Sequence, residues 1–212
     1  MIKYIFFDAA GTLIWKPLMF ERYKQTLMDY GNIVNLDELK VKHKLLSEVM
    51  IFPNKTNEIY YKTFNGELLC LLGIVPNDEL LNAIFKRCTY LPWEKFEDTK
   101  ILSNLKLPIG IISNFNSTLK YKINHLFGPI FSHILVSEEL EIAKPDPEFY
   151  IKSCKAVAIQ PENILYIGDS LKLDVQPALK IGMKPLLIDR NNYYTNSKFV
   201  INSLQELYNF IY

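Results

Sequence analysis

The sequence predicts an α/β protein: a doubly wound parallel sheet with an inserted all-α helical bundle after its first strand. Three observations predict it. Short apolar runs bounded by Gly, Pro or Asn alternate with longer amphipathic stretches, the pattern of strands joined by helical crossovers. Four strand-like runs are followed by compact polar groups, at Asp8-Ala9-Ala10-Gly11-Thr12, Ser113-Asn114, Lys144-Pro145-Asp146 and Gly168-Asp169-Ser170. From Leu18 to Cys88 no strand stands out, and the apolar residues recur at helical spacing instead.

The elements follow in order. Residues 3–8 read as the first strand, because Tyr4-Ile5-Phe6-Phe7 is apolar on both faces. Phe20-Tyr23-Leu27-Tyr30 has one helical face and stops at Gly31. Leu36 and Leu39, leading to Leu45, Leu46 and Val49, form a second helix, with Asp37 and Glu38 where negative charge suits an N-terminus. Tyr60-Phe64-Leu68-Leu71-Leu72 is a third, ending at Gly73, and Leu80-Leu81-Ile84-Phe85 a fourth, after Pro76-Asn77. These aromatic and leucine stripes are packing faces. After Pro92 the register changes. Ile109–Ser113, His133–Val136, Ile164–Gly168, Lys184–Ile188 and Val200-Ile201 read as strands. Leu119–Phe127, Glu148–Val157, Leu173–Ile181 and Leu204–Ile211 read as helices, and Asn191–Ser197 as a polar loop. Residues 1–15 and 95–212 are therefore expected to form the core, and residues 16–94 the helical insert.

Composition narrows the class. Hydrophobic residues make up 49% and charged residues 22%, an ordinary globular balance. A formal net charge of +1, with lysines dispersed along the chain, gives no footprint for nucleic acid or an anionic membrane. Cys70, Cys88 and Cys154 lack metal-like spacing and are an odd set, so neither a zinc site nor a disulfide framework is expected. No apolar run approaches the ~20 residues that span a bilayer. The first strand begins almost at once, without a signal-peptide pattern, so the expected compartment is the cytoplasm. His43, His125 and His133 have no partner pattern.

In an open parallel sheet, groups at the carboxyl ends of strands converge in the crevice where the strand order reverses. Asp8 is the candidate nucleophile, since a carboxylate can attack phosphorus and split hydrolysis into two steps. Gly11-Thr12 suits a tight turn whose amides bind phosphate oxygens. Ser113 offers a hydroxyl and Asn114 an amide for the same oxygens. Lys144 is a point charge for both phosphate and nucleophile. Asp169 and Asp174 are hard oxygen donors suited to Mg²⁺. Together these residues form a site for phosphoryl transfer. Asp146-Pro147 reads as a helix entry and Ser170 as a helix cap, and Asn116 is taken as structural.

The segments FFDAAGTL, IISN, SEELEIAKPDPEFY and IGDSLKLD resemble, in order and spacing, the motifs of the haloacid dehalogenase-like hydrolase superfamily, in a subfamily with a helical cap after the first motif. The resemblance implies Asp8 as nucleophile, with Thr12 and Ser113 on the phosphate and Lys144 as the stabilising cation. It implies Mg²⁺ held by Asp8, Asp169 and the backbone carbonyl of Ala10, with Asp174 as a further ligand or as support for the ligands. It implies a small phosphorylated substrate and a cap that closes over the site.

Phosphatases of that superfamily normally carry a second Asp two residues after the nucleophile, as general acid and base, where this chain has Ala10. Such help is worth about 10²–10⁴-fold. Four readings follow. The first is a slow or specialised phosphatase. The second is a phosphonatase-like enzyme, needing a Schiff-base lysine from Lys24, Lys40, Lys42, Lys44, Lys55 or Lys62. The third is a 2-haloacid dehalogenase-like hydrolase with Arg22 as a carboxylate clamp, which the Gly168-Asp169-Ser170 ending disfavours. The fourth is a catalytically impaired phosphate- or metal-binding protein. The first is preferred, because Asp8, Lys144 and Asp169 are all retained.

Overall fold

The computed structural model describes residues 1–50, 57–194 and 198–211. Lys55 and the end of the expected Asn191–Ser197 loop lie outside the described residues. The chain divides into two compact units, Met1–Trp15 with Lys95–Tyr212, and Lys16–Glu94.

The first unit is built on strand β1, Tyr4–Phe7, every residue of which is buried. A short strand β2, Ile14–Trp15, follows and shares a two-stranded sheet with β3, Glu94–Lys95. Between them lie the four helices of the second unit: α1 (Met19–Asp29), α2 (Leu36–Val49), α3 (Glu58–Leu71) and α4 (Asp78–Thr89). Asn35, Asn57 and Asn77 start the last three, each side-chain oxygen accepting from backbone N–H groups of the first turn. Tyr23, Leu27, Leu39, Leu68 and Ile84 meet in their shared core. The stripe expected on α2 is narrower than the sequence suggests. Leu39 and Leu46 turn inward, whereas Leu45 and Val49 are exposed.

The core sheet continues with β4 (Ile109–Ser113), β5 (His133–Val136), β6 (Ile164–Gly168), β7 (Lys184–Ile188) and β8 (Val200–Ile201). The six strands lie in the order β5-β4-β1-β6-β7-β8, all paired in parallel. β1 is thus central, and the chain fills one flank before crossing to the other, which puts the reversal of strand order at β1/β6. Pro185 is tolerated within β7 because β8 pairs only from Leu187 onward, so no bond to that neighbour is lost.

Helices α5 (Thr118–Phe127), α6 (Ser137–Leu140), α7 (Pro147–Val157), α8 (Gln176–Lys180) and α9 (Tyr208–Ile211) complete the unit, with 3₁₀ turns at Glu97–Asn104, Pro161–Asn163 and Leu204–Leu207. Two helices depart from expectation. The one expected over Leu173–Ile181 begins as a π turn, Leu171–Val175, and becomes α8 only afterwards. Pro177 has no N–H to give the Leu173 carbonyl one turn back. The Tyr150 hydroxyl donates to that carbonyl instead. The expected terminal helix starts as a 3₁₀ turn, closed by a capping box between Ser203 and Glu206.

Candidate active site

Register explains why distant residues meet. Phe7 pairs with Ile111 on one side and Ile167 on the other. Asp8 lies one residue beyond that row, and Ser113 and Asp169 two residues beyond it. The three therefore emerge at one edge of the sheet, flanking the reversal point.

Asp8 is buried, and its backbone N–H donates to the Ile167 carbonyl at 2.8 Å. Lys144 is only 3% exposed. Its Nζ donates to Asp8 Oδ1 at 2.7 Å, Asp174 Oδ1 at 2.6 Å and the Tyr166 hydroxyl at 3.0 Å, which uses all three ammonium protons. Asn114 fixes the loop that carries Lys144. Its Nδ2 donates to the Lys144 carbonyl at 2.9 Å, and its Oδ1 accepts from the Lys144 N–H at 2.7 Å. The amide expected on a phosphate is thus engaged in positioning the lysine.

Asp174 is held on both oxygens. Tyr166 donates to Oδ1 at 2.6 Å and the Ser170 N–H to Oδ2 at 3.0 Å. A Cβ on Gly168 would lie 2.1 Å from Asp174 Cγ, so only glycine admits the carboxylate there. A similar constraint holds at Gly11. Its φ is +82°, and a Cβ would sit 2.5 Å from Asp169 Oδ2. The two glycines leave the space that the two carboxylates fill.

Carboxylate oxygens of Asp8, Asp169 and Asp174 lie within 4.8 Å of one another. The donors are all hard oxygens, a set that suits a small divalent cation. Burial pushes the Asp8 carboxyl up to about 6; Lys144 pulls it down, while Asp174 and Asp169 add to the rise. Burial works against the Lys144 charge, but Asp174 and Asp8 outweigh it and hold the ammonium above its usual range.

The turn after β1 supplies the remaining groups. Leu13 and Ile14 N–H donate to the Ala9 carbonyl, and Gly11 N–H to the Ile14 carbonyl. The Gly11, Thr12 and Leu13 carbonyls also accept bonds, whereas that of Ala10 takes none of these. The Thr12 hydroxyl is fully buried and has no hydrogen-bond partner among the described residues, a costly state unless a ligand completes it. Ser113 is buried at the end of β4.

Residues 2–182 match the family described as haloacid dehalogenase-like hydrolase. The chain belongs to that family. This hydrolase is 33% identical to the glyceraldehyde 3-phosphate phosphatase of Methanocaldococcus jannaschii, over 98% of this chain and 96% of that one. A second enzyme of that name, from Methanopyrus kandleri, is 28% identical over 91% and 86% of the two chains. Among solved structures, the HAD hydrolase YfnB of Bacillus subtilis, bound to magnesium, superposes with a TM-score of 0.72 at 21% identity, covering 99% of this chain and 98% of that one. The L-2-haloacid dehalogenase of Xanthobacter autotrophicus gives 0.67 at 18%, over 98% and 97%. At these identities the superpositions establish the shared fold, with its six-stranded parallel sheet and helical insert.

Structural residues read from the sequence of this hydrolase behave as expected. Asp146 caps α7 with Pro147 at its start, Ser170 accepts from the Leu173 N–H, and Asn116 accepts from the Thr118 N–H. In the helical unit, Lys40, Lys42, Lys44 and Lys62 each pair with a carboxylate on their own helix. Arg22 lines a hollow of about 480 Å³ with Gln25, Asp29 and Arg87, and Arg87 already pairs with Asp29.

Sequence reasoning missed Tyr166 and Arg190, whose guanidinium donates to the Gly11 and Thr12 carbonyls of the turn after β1. Tyr166 was a polar tip in an otherwise aliphatic strand, which was a usable signal. Arg190 follows β7 by two residues, so the rule that found the other strand-end groups reaches it too.

Proposed function

We propose that this hydrolase is a Mg²⁺-dependent phosphatase that acts on a small phosphorylated molecule through an aspartyl-phosphate at Asp8. The gathering of Asp8, Asp169 and Asp174 within 4.8 Å carries the reading. The relatives named for glyceraldehyde 3-phosphate support a phosphate ester of about that size. Asp8, Asp169 and the Ala10 carbonyl would hold the cation, and Asp174 keeps Lys144 in place beside them. When bound, Mg²⁺ neutralises charge on the phosphoryl oxygens.

Lys144 holds Asp8 Oδ1, which leaves Oδ2 to attack. The Oδ2–phosphorus bond forms as the ester P–O bond breaks, and the alkoxide leaves with a proton. Thr12 and Ser113 hydroxyls donate to the transferred group. Water then attacks phosphorus, losing a proton to solvent, and the Oδ2–phosphorus bond breaks, which releases phosphate and restores Asp8. Ala10 has no side-chain proton to give, so the leaving alkoxide takes one from solvent. This slows turnover without blocking the site. Ala10 also favours a second reading, in which the chain binds phosphate and metal but does not turn over.

The test is thermal melting with Mg²⁺ and beryllium fluoride, beside a screen of small phosphate esters with Asp8→Asn as the blank. We expect the fluoride to raise Tm in wild type and not in Asp8→Asn. Ala10→Asp should raise hydrolysis by up to about 10²–10⁴-fold. A flat Tm in wild type, with Mg²⁺ binding intact, removes the aspartyl-phosphate. Fluoride binding with no turnover in wild type or Ala10→Asp selects the second reading.

A further inference from the structure

We propose that Arg190 is a positioning residue for the candidate site, holding the turn after β1 so that one carbonyl, that of Ala10, is left for a cation. Its NH1 donates to the Gly11 carbonyl at 3.1 Å, and its NH2 to the Thr12 carbonyl at 2.9 Å. The same guanidinium pairs with both oxygens of Asp98, Nε to Oδ2 at 3.0 Å and NH2 to Oδ1 at 2.9 Å. Its guanidinium carbon lies over the Phe96 ring, 3.9 Å from the ring centre. Asp98 Oδ2 also accepts from the Leu204 N–H at 3.0 Å, which anchors the pair to a second segment of the core.

Three physical points make this more than packing. First, Arg190 is neutralised by Asp98 and committed to carbonyls, so it is not an anion receptor in reserve. Second, peptide groups are planar and trans, so a carbonyl pulled toward Arg190 turns the following N–H the opposite way. The grip on Gly11 therefore orients the Thr12 amide, and the grip on Thr12 orients that of Leu13, which donates to Ala9 at 2.8 Å. Third, the held residues adjoin Ala10 and include Thr12, whose buried hydroxyl has no partner among the described residues. A forked, planar donor suits two adjacent carbonyls and a carboxylate at once; an ammonium does not.

This role rests on the proposed function for its catalytic meaning, so the experiment uses two readouts on the full-length protein. One is amide hydrogen exchange of Gly11 to Ile14. The other is Mg²⁺ affinity. The variants are Arg190→Lys and Arg190→Met, with the core variant Ile123→Val as a destabilised control. We expect both Arg190 variants to speed exchange of the turn more than tenfold, and to weaken Mg²⁺ by about 10–100-fold, the usual effect of losing a group that orients metal ligands. Ile123→Val should do neither at comparable Tm. Unchanged turn exchange in the Arg190 variants overturns the proposal, as does faster exchange with Mg²⁺ affinity intact. A wild-type chain that binds no Mg²⁺ defeats the proposed function, while the exchange comparison still judges the clamp.

Discussion

At the scale of single residues, space controls the site as much as charge does. Gly168 and Gly11 are the clearest cases, since each lets a carboxylate approach the backbone more closely than a Cβ would permit. Gly168→Ala would thrust a methyl group at Asp174, and with it at the partner that holds Lys144. We expect a loss of about 1–3 kcal/mol, the usual cost of overpacking, together with loss of Mg²⁺-dependent fluoride binding. Denaturant unfolding and the melting assay measure the two effects. Asp8, Lys144 and Asp169 stood out in the chain because each follows a strand or opens a motif of small polar residues, whereas Asp174 lies inside the turn beyond β6 and stood out only through the IGDSLKLD resemblance. Asn114 was readable as polar but not by its job. Its job depends on which loop comes to lie opposite, and no local pattern encodes that.

At the scale of elements, bounds were legible wherever punctuation was local. Pro108 precedes β4, and Asn35, Asn57 and Asn77 start three helices. The π turn before α8 was not legible, because it depends on a hydroxyl from α7 that accommodates Pro177. The exposed Leu45 and Val49 were misassigned for a related reason: periodicity fixes which residues share a face, and neighbours decide how wide the buried strip becomes. Helix α2 also yields a pH prediction. His43 lies edge-on to Phe20 and Phe64, with ring centres 5.2 and 5.0 Å away. Burial, with a smaller push from Lys44, lowers its pKa from 6.5 to about 4. Between those values the unfolded chain binds a proton that the native helix refuses, so stability must fall as pH drops from 6.5 toward 4. Comparing Tm at pH 7 and pH 4.5 should show a smaller drop in His43→Leu than in wild type.

At the scale of the whole molecule, the strand order β5-β4-β1-β6-β7-β8 decides where chemistry can sit. Alternating strands and helices made that architecture legible, along with the insertion of a helical unit. The sheet gathers carboxylate oxygens of Asp8, Asp169 and Asp174 within 4.8 Å, where a divalent cation would find hard oxygen donors. A ligand at a hundredfold excess over its Kd adds about 2.7 kcal/mol to the folded state. Mg²⁺ should therefore raise Tm and EDTA reverse the rise, with Asp169→Asn showing little response to either; calorimetry decides. One consequence lies in the ribbon of β2 and β3. The chain departs from one of these strands and returns on the other, so its two stumps are neighbours, separated by the ~4.8 Å between paired strands. A segment tethered at such a doorway can be excised and replaced by a short hairpin, or exchanged for a foreign module, without rethreading a single strand of the sheet.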